Sequence, residues 1–171
     1  MKKRIIRILS VIFIMAMMNV NVVLADDFVD REENVSNIVD PRSRYLAGAI
    51  SEITNEGSGV LGIYADFTSY NSVDWARITI NLERKKDASS TSWTHVKTYT
   101  YEFDVADEPD GRLTSGTVEF EARGLATDYY YRLRCEHKVK TPSGSYESKN
   151  TQTDGVLLTS YPVYRSIDAN K

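Results

Sequence analysis

Residues 129–140 read Tyr-Tyr-Tyr-Arg-Leu-Arg-Cys-Glu-His-Lys-Val-Lys. Tyr131, Leu133, Cys135, His137 and Val139 alternate with Arg132, Arg134, Glu136 and Lys138. A period of two puts the first set on one face of a β-strand and the charged set on the other. The stretch therefore predicts a long strand with one face in a core and one in water.

The same pattern recurs on both sides. Residues 45–53 predict a first strand, ending at the turn residues 55–59. Residues 60–67 follow, with Leu61, Ile63, Ala65 and Phe67 on one face, then 75–83, with Ile78, Ile80 and Leu82. Residues 84–92 form a polar loop, 93–103 a Thr- and Tyr-rich strand, and 106–115 a second loop around Pro109 and Gly111. Strands at 117–122, 129–140 and 146–158 complete the set, the last interrupted near Gly155. About seven short strands without a helical period predict an all-β, antiparallel two-sheet sandwich.

One segment is more specific. Residues 124–134 place Leu125 six positions before Tyr131. This resembles the entry to strand F of fibronectin type III and other immunoglobulin-like domains, with Ala126-Thr127-Asp128 where that family commonly has Pro-Gly. The resemblance implies that Leu125 plugs the sandwich end. It also implies a tyrosine corner, in which the Tyr131 hydroxyl bonds back to the preceding loop while Leu133 and Cys135 follow inward. The whole chain also resembles small exported proteins of Gram-positive bacteria grouped as a domain of unknown function, a likeness that carries no activity.

The N-terminus reads as an address. Lys2, Lys3, Arg4 and Arg7 precede an apolar run to Met18, and Val23 and Ala25 stand at the minus-three and minus-one positions of a cleavage site before Asp26. The expectation is a signal-peptide helix over residues 1–25, removed after Ala25, and a secreted product. Removal leaves 146 residues, 17 basic and 24 acidic, with a formal charge of −7. Such a chain is a poor partner for nucleic acid or anionic lipid. Residues 26–44 are polar and acidic and read as a flexible leader, 45–160 as the sandwich, and 161–171 as a tail.

The chemistry-bearing residues are few. No nucleophile elbow, phosphate loop, dinucleotide fingerprint or zinc-protease pair occurs, so an enzyme is not expected, and no cofactor is implied. Cys135 is the only cysteine, and His95 and His137 are the only histidines. Cys135 and His137 share a strand face, a spacing open to a metal or nucleophile, but the inward face favours packing. Asp104, Asp107, Glu108 and Asp110 crowd one loop, and either hold a hard cation or form a solvated turn. A small hydrolase with paired carboxylates is the least favoured reading.

Aromatic residues are the better lead. Trp93, Tyr99 and Tyr101 fall on one face of their strand if it stays regular, and Tyr130 points outward if Tyr131 is the corner. Two readings stand for that row, a buried face or an exposed platform for sugar rings, with Trp75 as a further ring. The expected role is a non-catalytic extracellular interaction protein. A carbohydrate-binding module is the alternative, and the partner is an extracellular protein or a cell-surface glycan.

Overall fold

The computed structural model describes residues 32–39 and 43–162. The expected signal peptide, its Ala25–Asp26 cleavage site and the end of the tail lie outside the described residues.

Among the described residues, nine strands form two antiparallel sheets. The first sheet has the order β1-β2-β3-β6, with β1 Glu33–Val39, β2 Leu46–Gly57, β3 Val60–Val73 and β6 Leu113–Ala122. The second has the order β5-β4-β7-β8, with β4 Trp75–Lys85, β5 Thr94–Asp104, β7 Tyr129–Lys140 and β8 Tyr146–Gln152. The short β9, Val156–Leu158, continues beside β7 where β8 ends. Alternation builds the core as the sequence predicts. Ile53, Ile63 and Phe67 from the first sheet meet Ile78, Ile80 and Leu133 from the second, each almost fully buried.

The corner is present. Leu125 is half-buried against the core and its N–H donates to the Gly59 carbonyl. The Tyr131 ring is buried, and its hydroxyl donates to the Ala126 carbonyl at 2.8 Å. Leu133, Cys135 and Val139 follow inward. The residue before β9 explains the break in the last strand. Gly155 has φ +116°, and a Cβ there would stand 2.9 Å from both the Trp93 ring and the Tyr131 carbonyl oxygen. Only glycine fits that close approach without strain.

The leader reading needs correction. Residues 33–39, taken as part of a flexible segment, form β1 and pair in register with β2 from Glu33↔Thr54 to Val39↔Gly48. No β1 residue is buried, so no apolar period announces it. Side chains hold it instead. Glu32, Asn34 and Ser36 accept hydrogen bonds from the backbone N–H groups of Leu157, Asp154 and Gln152 at 3.0, 2.7 and 3.2 Å. These bonds tie the edge of the first sheet to the edge of the second and occupy donors that an edge strand leaves free. Farther along, Glu147 Oε2 accepts from Ser43 Oγ and from the backbone N–H groups of Tyr45 and Leu46. Burial alone raises this carboxyl, but the three donors outweigh it and hold it below the usual glutamate range. The tail begins in contact too, since Tyr161 accepts from the Ser58 N–H and Pro162 bridges to Gly57.

Candidate functional site

The expected row of three rings does not exist, and one extra residue is the reason. β5 pairs regularly with β4 from Trp75↔Asp104 to Leu82↔Lys97, then resumes at Glu83↔His95. Val96 is the unpaired residue of this bulge and packs on the core. A one-residue insertion exchanges the faces of everything beyond it. Tyr99 and Tyr101 therefore turn inward, with ring centroids 4.6 and 5.7 Å from Phe120 at the β5–β6 side of the sandwich. Burial pushes the Tyr99 phenol up. Trp93 emerges on the opposite, outer face of the second sheet.

There Trp93 meets cations. The Arg132 guanidinium lies 4.3 Å from its ring centroid and Lys85 Nζ 5.0 Å. Tyr130, opposite Lys85 in the ladder, lies outward as expected and has Lys85 Nζ at 5.7 Å. Glu83 Oε2 accepts from Arg132 Nε at 2.8 Å, and its other oxygen lies 3.4 Å from Arg134. Glu83 and Arg132 are 13% and 16% exposed, so this pair is shielded where Arg134, at 59%, faces water. Lys85 also donates to the Ala88 and Ser90 carbonyls, which fixes the loop leading into Trp93.

Beside this cluster lies a shallow basin of about 460 Å³, walled by Asn81, His95, Arg134, Glu136, Asn150 and Gln152. Its side chains are hydrogen-bonding groups of every kind, and Thr98 Oγ1 joins Asn81 Oδ1 at 2.7 Å at its rim. At the far end of the same face Trp75 and Tyr146 meet edge to face, with centroids 6.4 Å apart and Lys138 Nζ 4.8 Å from the Tyr146 ring. The face thus runs from one ring–cation cluster to another across a polar floor.

The other candidates are placed apart from this face. Cys135 and His137 are buried between the sheets. Burial pushes the Cys135 thiol up to about 11 and the His137 imidazole down to about 4, so both are neutral at pH 7. His137 Nε2 bonds Thr151 Oγ1 at 3.0 Å, and a hydrogen bond to the Asp66 backbone offsets the effect of burial only in part. A protonated thiol and a neutral ring inside a packed core are neither an activated nucleophile nor an accessible ligand pair. The loop carboxylates do not converge either. Asp104 Oδ1 accepts from the Ala106 N–H and Asp110 Oδ1 from the Arg112 N–H, so both fold their own turns. Among the described residues no three His, Cys, Asp or Glu side chains gather as a metal site, and no helix is long and apolar enough to cross a membrane.

Net charge hides one further feature. Strands β1, β2, β3 and β6 of the first sheet carry six Asp or Glu and no Lys or Arg. Strands β4, β5, β7 and β8 of the second carry nine Lys or Arg against five Asp or Glu. Charge counted strand by strand, rather than over the chain, is the signal that would have found it. Comparison with protein-family models, with curated proteins and with solved structures finds no match to this chain.

Proposed function

We propose that this chain is an exported, non-catalytic β-sandwich that works by binding another component outside the cell, and that the outer face of the second sheet is its binding face. The observation that carries the reading is the layering of Arg132, Lys85 and Lys138 on the outward rings of Trp93, Tyr130 and Tyr146, with an open polar basin between the two clusters. Cations held on aromatic rings are a common currency of protein interfaces, where Arg, Trp and Tyr are over-represented. The neutral, buried state of Cys135 and His137 supports a role without covalent chemistry. An immunoglobulin-like topology of the fibronectin type III kind is supported by the sheet orders and by the Tyr131 corner. Export is supported by the basic, apolar and small-residue succession of residues 1–25.

A glycan is the second reading. The basin favours it, because amide, carboxylate, imidazole and guanidinium groups together match vicinal hydroxyls. Loss of the Tyr99–Tyr101 row removes the flat platform on which the sequence-based form of this idea rested. The test is capture of the purified protein by isolated cell envelope and by immobilised secreted proteins. Trp93→Ala with Arg134→Gln should lose capture that Glu119→Gln retains. Equal capture by both variants would place binding elsewhere. Capture by deproteinised envelope polysaccharide selects the glycan reading.

A further inference from the structure

We infer that a partner of this face is a second copy of the same chain, presenting the outer face of its first sheet, so that copies stack face to back. The inference rests on the binding face assigned above and names what covers it. The two outer faces are complementary in charge and in order. From the Gly57–Gly59 reversal onward, the first sheet shows Glu121, then Glu52 and Glu119 flanking Tyr64, then Asp66. The Tyr64 hydroxyl donates to Asp66 at 2.7 Å, a bond that raises the phenol and keeps it neutral. Glu121 is paired by Arg123 just beyond β6, but no lysine or arginine on these strands offsets Glu52, Glu119 or Asp66.

Beyond Asp66 the same face becomes apolar. Gly48 leaves a groove of about 290 Å³ edged by Val39, Ile50 and Tyr70, and Val39 and Tyr70 are 70% and 53% exposed. The second sheet runs in the same sense. Its Arg132 and Arg134 lie at the end nearest the Gly57–Gly59 reversal, since Leu125, which leads into β7, bonds Gly59. Its exposed ring, Tyr146 at 57%, lies at the other end, next to the Glu147 that holds Tyr45 and Leu46. A copy laid on top in the same orientation sets carboxylates over guanidinium groups and the Gly48 groove over Tyr146. Each contact uses different surfaces on the two partners, so the interface is heterologous, and with no rotation between successive copies it stays open. Copies therefore add in a row rather than stop at two.

The test is sedimentation velocity of the purified protein over a concentration series at about 20 mM and about 500 mM salt, where the screening length falls from roughly 20 Å to roughly 4 Å. The wild type should grow beyond two copies at low salt and return to one at high salt. Glu52→Gln/Glu119→Gln and Arg134→Gln/Lys138→Gln should each associate at least about tenfold more weakly. Their equimolar mixture should form pairs and nothing larger, because each variant retains the one face that the other lacks. A wild type that stays single at low salt overturns the inference, as does a closed dimer or association indifferent to salt. Growth only after addition of a soluble anionic polysaccharide also overturns it. Envelope capture, measured on the same samples, reports separately on the binding face, so loss of stacking with retained Trp93-dependent capture refutes the second copy alone.

Discussion

Acidification should destabilise the fold through one imidazole. His137 is fully buried, bonds Thr151 through Nε2 and titrates at about 4, against 6.5 for an ordinary histidine. The unfolded chain binds this proton at higher pH than the folded chain. Stability is therefore complete above pH 6.5 and is lost as pH falls from 6.5 toward 4. Between pH 7.5 and pH 5 the linkage amounts to about 2 kcal/mol. That is a shift of roughly 1.5 M in the midpoint of urea unfolding for a domain of this size. The lowered Glu147 carboxyl acts in the same direction, but only as pH falls through a value below 4.5, outside this window. The assay is urea unfolding followed by tryptophan fluorescence at half-unit steps from pH 7.5 to 5. His137→Gln, which retains a partner for Thr151, should be less stable at pH 7.5 yet nearly flat across the window. A wild-type midpoint that does not move, or a His137→Gln variant that moves as much as the wild type, would refute the assignment.

Other expectations follow from single contacts. Tyr131→Phe removes the 2.8 Å bond to Ala126 and should cost about 1–2 kcal/mol in equilibrium unfolding. Cys135, buried with its thiol raised to about 11, should resist a disulfide-exchange reagent at pH 8 until denaturant is added. Gly155→Ala forces a methyl into Trp93 and Tyr131 and should cost about 2 kcal/mol or more, with a shift in tryptophan emission. Asn34→Ala removes the acceptor of the Asp154 N–H and should speed exchange of that amide, read by NMR, with little change at Cys135.

The core was legible because its signal is local. β7 matches the predicted 129–140, since every second residue from Tyr131 to Val139 meets the opposite sheet. Alternation also located β3 and β4, whose inward residues are apolar without interruption from Leu61 to Phe67 and from Ala76 to Leu82. The misses share a cause, which is dependence on partners distant in sequence. β1 buries nothing and is held by acceptors for amides more than 100 residues away. The bulge at Val96 leaves no mark in a run of Thr, Val and Tyr, so the ring face was read one residue out of phase. The Trp93–Arg132 contact joins the residue before β5 to β7, with the whole of β5 and β6 between them in sequence. The loop before β6 was read three residues too far, to 115, because Leu113 joins the sheet only through its pairing with the distant Val73.

The measurement closest to the central claim is amine labelling of the protein while it is held by cell-envelope material, read lysine by lysine. Binding through the outer face of the second sheet predicts protection of Lys85, Lys138 and Lys140, with Lys97 at the sheet edge labelled as in the free protein. Equal labelling of all four in the bound state, or protection confined to Lys97, would contradict it.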